Sequence, residues 1–262
     1  IDKNYYCLSN KSFIDFNTYL QIFNINNYKK YFNIVNNNSN LISNIDGDFI
    51  STKEKGIDVV KSKKLFKTML NNCSLIFNYE VQNIEHINGK IKINNKNTYD
   101  YVFDCTNGNI ENNRNYIYEK TITLIYKKIK HIDIGAITIM DGLFMSLYPI
   151  NDYFQEYTLT HVKYTPVISS NDYNEVKNFK ITNELINDVK TNMEKEFIHY
   201  FKSFKENFEY KDYFIAYKVK NSNNDSKRNC NISNNNNLIR INSCKIAGIF
   251  YVEEYLKNIK LL

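Results

Sequence analysis

Tyr148, His161 and Lys163 are side chains whose types and spacing suit the handling of a charged small molecule. Residues 143–148 and 157–164 read as two strands around the turn Pro149-Ile150-Asn151-Asp152, and such strands pair as a hairpin. Tyr148 ends the first. His161 and Lys163, two residues apart, fall on one face of the second. Together they offer a hydroxyl, an imidazole and a cation, a set able to hold an anionic small-molecule substrate. Arg228 joins them as a candidate. It is one of three arginines, with Arg114 and Arg240, in a lysine-rich chain, and a guanidinium is the better fork for a carboxylate. Each also has a plain structural role: a half-exposed strand face for the first three, a loop cation for Arg228.

Other chemistries find no support. No GxGxxG or Walker loop occurs among only seven scattered glycines, and nothing resembles the GxSxG nucleophile turn. Five cysteines (Cys7, Cys73, Cys105, Cys230, Cys244) are widely separated, without a CxxC pair, and the four histidines are scattered, so no metal site is expected. The thiols read as mostly buried and reduced, which fits a cytoplasmic protein. No run of about 18 apolar residues predicts a membrane span, and no basic stretch followed by an apolar run opens the sequence.

The 262 residues are 43% hydrophobic and 15% aromatic, enough to bury a sizeable core. Asn, Lys, Ile, Tyr and Phe dominate and Trp is absent, a bias that points to an A/T-rich genome. The net charge of +6 comes almost wholly from dispersed lysines. A nucleic-acid surface more often clusters its cations and uses Arg, so the balance argues against that partner.

These candidates need a scaffold, and the periodicities outline one. Residues 12–20 read as a short helix or a strand-to-helix entry. Residues 58–71 carry apolar side chains at helical spacing, with Ser62 as N-cap. Residues 75–84 are β-rich. Asn88-Gly89 sits between alternating residues, a strong hairpin signal. Residues 99–105 read as a buried strand ending in the turn Thr106-Asn107-Gly108. An antiparallel sheet is expected over 116–167. Ile181, Leu185, Val189, Met193, Phe197, Phe201, Phe204 and Phe208 then form one apolar helical stripe. A strand near 213–219, an Asn-rich loop over 221–237, a strand at 238–242 and an amphipathic helix over 246–260 complete the chain.

Three stretches, in this order, resemble the FAD-dependent oxidoreductases related to D-amino-acid oxidase and glycine oxidase. The first is Tyr79-Glu80-Val81-Gln82-Asn83-Ile84, the Asn-Gly hairpin, and the strand that ends in Thr106-Asn107-Gly108. The second is Ile139 through Pro149 with Leu159 through Pro166, similar to the family's substrate-side sheet. The third is Asp225-Ser226-Lys227-Arg228, a strand, and Ser243-Cys244-Lys245-Ile246, similar to the turn and helix that close over the flavin. The resemblance covers residues 57–262. It implies an α/β (α+β) fold, with an incomplete Rossmann-like FAD-binding domain and an antiparallel-sheet substrate domain. The domains would run 1–110 for part of the FAD-binding domain, 111–220 for the substrate domain with the long helix, and 221–262 for the return. Two departures stand out. The family's strand and glycine fingerprint, which cradles the FAD pyrophosphate, does not occur, so the sequence is expected to start after it. Cys244 stands where the family usually has Gly.

The resemblance implies roles for further residues. Val81 would present its backbone to the adenine. Thr106, Asn107 and Gly108 would lie at the carboxyl end of a strand, where α/β sheets place their ligands. Cys244, Lys245 and Ile246 would approach the flavin ring, with the positive end of the last helix and Lys245 meeting charge on the reduced ring. The implied activity is oxidation of a CH–NH or CH–OH bond by hydride transfer to FAD. The alternatives are a non-catalytic remnant or interaction protein that keeps the fold without the cofactor, and a lysine-rich anion binder. Flavin colour separates the first from the others.

Overall fold

The computed structural model describes residues 3–25, 31–37, 41–110, 115–151, 155–222, 230–242 and 245–262. In chain order the elements are β1 (Asn4–Ser9), α1 (Phe16–Ile25), β2 (Phe32–Val35), β3 (Ile45–Thr52), α2 (Val59–Met69), β4 (Ile84–Ile87), β5 (Lys90–Ile93), β6 (Asn97–Tyr99) and β7 (Val102–Asp104). They continue with β8 (Tyr116–Lys128), β9 (Ala136–Met140), β10 (Met145–Pro149), β11 (Glu156–His161), β12 (Pro166–Ser170), α3 (Tyr173–Asn178), α4 (Asn183–Tyr200), α5 (Phe204–Asn207), β13 (Phe208–Asn221), β14 (Asn231–Asn235), β15 (Leu238–Asn242) and α6 (Gly248–Asn258). The fold is mixed α/β. It divides into two compact units, one of residues 1–73, 121–167 and 181–216, the other of 74–120, 168–180 and 217–262. These boundaries differ from those expected: residues 1–73 join the antiparallel sheet because β1 pairs parallel with β9 and antiparallel with β3.

The first unit is built on a large sheet of order β12-β8-β11-β10-β9-β1-β3-β2, with β13 also paired to β8. The hairpin expected around residue 150 is present as β10 and β11, with Tyr148 opposite Thr158. Alternation gives the sheet two faces. Ile122, Leu124, Ile137, Ile139, Met145, Leu147, Tyr157 and Leu159 pack with α4 residues Ile186, Val189, Met193 and Phe197 in one apolar core. The stripe foreseen as one helix ends at its C-cap Phe201, and Phe204 then opens the short α5. Phe201, Phe204 and Phe208 stay in the core, so the packing survives the break. Thr182 starts α4, its side chain accepting from the Leu185 N–H at 3.2 Å.

The second unit holds two three-stranded sheets, β4-β5-β6 and β14-β15-β7. Asn88 (φ 50°) and Gly89 (φ 76°) form the two-residue turn between Ile87 and Lys90, the left-handed pair that matches strand twist. Residues 75–83 are not a strand. The Asn94 side chain accepts from the Gln82 and Asn83 N–H groups at 2.8 and 3.1 Å and donates to the Glu80 carbonyl at 2.8 Å, bonds that take the place of a ladder. The strand expected at 99–105 splits into β6 and β7, and only Asp104 of β7 is buried, because β7 ends its sheet. Part of the expected loop at 221–237 is β14.

Other local expectations are corrected. Helix α2 is capped by Asp58, not Ser62, with the carboxylate accepting from the Lys61 N–H at 2.9 Å. Helix α6 begins at Gly248 rather than residue 246. Cys7 is buried, but Cys73 and Cys105 are exposed. Among the described residues no group of His, Cys, Asp and Glu is arranged to hold a metal, and no helix is long and apolar enough to cross a membrane.

Candidate functional site

The large sheet separates two of the expected substrate residues. His161 pairs with Met145 and Tyr148 with Thr158. Tyr148 is three residues from Met145, so the two lie on opposite faces. His161 is 2% exposed on the side that carries Tyr157 and Leu159. Its Nδ1 accepts from the Lys163 N–H at 3.1 Å, and its ring tilts against Tyr164 at 4.7 Å. Burial holds its pKa below the ordinary value; Glu196 opposes that shift and Lys163 adds to it. Neutral His161 therefore organises the turn 162–165, with Thr165 Oγ1 accepting from its own N–H at 2.9 Å. Lys163 is in that turn, not on the strand, exposed, with its ammonium 5.1 Å from the Tyr164 ring centroid. The expected shared face fails because the strand stops at His161. Arg228 lies outside the described residues.

Tyr148 stands on the other face, where a polar row runs beside the apolar cluster of Leu8, Ile50 and Met140. A row of side chains crosses it from Tyr6 through Thr138 and Ser146 to Thr160, each pair in direct register. Thr138 and Ser146 are hydrogen-bonded at 3.0 Å. Beside this row stand Asn4, paired with Thr52, and Glu54, in the segment that follows β3. The Glu54 Oε2 accepts from the Tyr6 hydroxyl at 2.6 Å and from the Asn4 Nδ2 at 3.3 Å. Burial, then the charge of Glu54, raises the Tyr148 phenol above its ordinary pKa. Tyr6 is raised by burial first and then by its bond to Glu54. Asn4 Oδ1 and Thr52 Oγ1 are buried without a partner among the described residues.

In the second unit, β7 and β15 run parallel with Asp104 opposite Arg240. Their carboxyl ends therefore lie side by side, where α/β sheets bind ligands. The buried Asp104 carboxylate accepts from the Thr106 N–H at 2.9 Å and from its Oγ1 at 2.6 Å, and its Oδ2 is 4.0 Å from Arg240 Nε. Asn107 (φ 57°) and Gly108 (φ 78°) continue the turn. A Cβ on Gly108 would meet the Tyr116 ring at 3.3 Å and the Tyr118 hydroxyl at 3.4 Å, and that hydroxyl donates to the Gly108 carbonyl at 3.1 Å. Thr106 is exposed.

After β15, Cys244 lies outside the described residues, whereas Lys245 and Ile246 are exposed just before α6. The first helical N–H groups bond back to the carbonyls of Lys245, Ile246 and Ala247, so the positive end of α6 acts through its field. The bonds to Asn94 bracket Val81 and leave its own N–H and C=O without a partner among the described residues.

No protein-family model matches the chain. Solved structures do. Glycine oxidase from Geobacillus kaustophilus aligns with a TM-score of 0.66 and 8% identity over 95% of this chain and 67% of its own. Glycine oxidase from Bacillus cereus gives 0.65 and 12% over 95% and 68%. NikD, an unusual amino acid oxidase essential for nikkomycin biosynthesis, gives 0.70 and 7% over 95% and 70%. The chain shares the fold of glycine oxidase. A curated relative, the FAD-dependent monooxygenase FPY4 of Fusarium mangiferae, is 26% identical over 221 residues, 83% of this chain. The chain spans 58% of that relative's length.

Within this glycine-oxidase fold, Asn4, Tyr6, Glu54 and the Thr-Ser row are absent from the expected site. Alternation in residues 4–9 was the available signal, but β1 gains its partners from β3 and β9, far along the chain.

Proposed function

We propose that this protein is an FAD-dependent oxidoreductase that oxidises a CH–NH or CH–OH bond of a small molecule. The observation that supports this most is the parallel β7–β15 pair, whose adjacent carboxyl ends lead into Thr106–Gly108 and toward α6. The fold it shares with glycine oxidase and NikD agrees. FAD, when bound, supplies the two-electron acceptor. The chain's own residues bind and orient it. The free Val81 peptide would take the adenine edge. Thr106, Asn107 and Gly108, held by the buried Asp104, would shape the wall beside the cofactor, and Cys244 would lie near the ring. Lys245, Ile246 and the start of α6 would meet negative charge as the ring is reduced. The face carrying Tyr148 would orient the substrate.

The test is flavin uptake. The purified full chain should show a flavin's visible absorption band or, if isolated colourless, should quench the fluorescence of added FAD saturably. A chain that neither retains nor takes up FAD refutes the proposal and favours an interaction protein that keeps the fold.

A further inference from the structure

We propose that a cavity on the α4 side of the large sheet binds a small neutral aromatic molecule that carries one N–H or O–H donor. The cavity lies wholly within the first unit. It is behind the row of Tyr6, Thr138 and Ser146, and the proposal does not rest on the oxidoreductase reading.

The cavity measures about 250 Å³. Its floor is Ile42, Ile134 and Ile137, all buried, and its walls are the half-buried Tyr5, Leu41 and Phe49. All six belong to the core that packs with α4. Tyr5 and Ile137 are direct partners in the β1–β9 pairing, so they share the face opposite Tyr6 and Thr138. The Tyr5 and Phe49 rings stand 5.9 Å apart at a 45° tilt. Such a pair offers ring faces and edges to a third aromatic ring.

The floor is preformed. The Ile134 carbonyl accepts from the buried Tyr157 hydroxyl at 2.7 Å, and the Ile42 carbonyl accepts from Asn37 Nδ2 at 2.9 Å. The Ser43 N–H donates to the Tyr200 carbonyl at 2.7 Å, which ties the Ile42 segment to the end of α4. These bonds fix the backbone under the cavity and use the carbonyls that water would seek. A buried water needs about two to four polar partners, whereas an apolar cavity of about 150 Å³ stays dry and takes up benzene. At about 250 Å³ there is room for two fused rings.

The rim sets the polarity of the ligand. Asp133 is the lining carboxylate, and the Lys3 ammonium pairs with its Oδ2. That pair offers no net charge, and placing an ionised ligand over an apolar floor is costly. The other Asp133 oxygen has no donor among the described residues. With the exposed Asn36 amide beside it, it gives a single N–H or O–H on the ring an acceptor at the mouth.

The probe is indole, titrated calorimetrically into the full chain at neutral pH. The chain has no Trp, so indole emission is read without a native indole in the background. Indole should bind saturably, and its emission should shift to the blue. N-methylindole, which lacks the donor, and indoleacetate, which is charged, should each bind more weakly. Leu41→Phe puts a larger side chain into the cavity from a half-buried wall and should weaken indole at least tenfold, with the circular dichroism of wild type. Tyr148→Phe, on the opposite face, should leave indole binding unchanged. Asp133→Ala, at an exposed position, should bring indole and N-methylindole to equal affinity; if Leu41→Phe does not fold, this comparison decides. No saturable indole binding, equal binding of indoleacetate, or an undiminished affinity in Leu41→Phe would each overturn the proposal. So would a loss with Tyr148→Phe, or a preference for indole over N-methylindole that survives Asp133→Ala.

Discussion

Replacing Asp104 by Ala should destabilise the second unit more than any other single change at the candidate cofactor site. The carboxylate is 3% exposed and accepts two hydrogen bonds from Thr106, at 2.9 and 2.6 Å, with Arg240 Nε 4.0 Å away. Hydrogen bonds to a charged group contribute about 1.5–3 kcal/mol each. Removing one member of a buried charged pair costs about 3–5 kcal/mol, because the other charge is left uncompensated. The arginine here is 17% exposed and at the edge of ion-pair distance, so the lower half of that range, about 3–4 kcal/mol, is the expectation. Asp104→Asn keeps an acceptor for the Thr106 N–H and should lose only the charge-assisted part, about 1 kcal/mol per bond. The assay is urea unfolding followed by far-ultraviolet circular dichroism, for wild type, Asp104→Ala, Asp104→Asn, Thr106→Val and the double variant Asp104→Ala with Thr106→Val. Coupling between the two sites should be about 1–3 kcal/mol. An Asp104→Ala protein within about 0.5 kcal/mol of wild type, the range of an ordinary surface change, would refute the view that this carboxylate holds the turn. A coupling of zero would do the same for the Thr106 bonds.

Two further outcomes follow from the first unit. Gly135→Ala would place a Cβ 2.1 Å from the Lys3 carbonyl oxygen, at the entry to the β1–β9 pairing; a loss of about 3 kcal/mol or more is expected, as for strong overpacking. Gly89→Ala, with nothing within 4 Å of its Cβ, serves as the comparison and should cost only its left-handed backbone, about 1–2 kcal/mol. For His161, the folded state depresses the pKa, so in the window below about 6.5 the unfolded chain binds the proton first and stability falls as pH falls. His161→Asn, which can still accept from the Lys163 N–H, should flatten the melting temperature between neutral and mildly acidic pH; an unchanged slope would exclude His161 as the source.

Sequence alone determined the features whose causes are local. Asn88-Gly89 adopts the turn written in those two residues, because positive φ is cheap only for such side chains. The apolar spacing from Leu185 to Phe197 suffices for α4, since a helical stripe is read from one segment. The order of hairpin, short strand and closing helix was legible, and with it the fold. Tertiary structure decided which side chains share a face. His161 and Tyr148 both read as site residues, yet the β10–β11 register puts one in the core and the other on the opposite face. Glu54 carries no motif, and it meets Tyr6 and Asn4 only because β3 returns beside β1. A slip of one residue exchanges every side chain between the faces of a sheet, so the site depends on pairings between strands far apart in the chain.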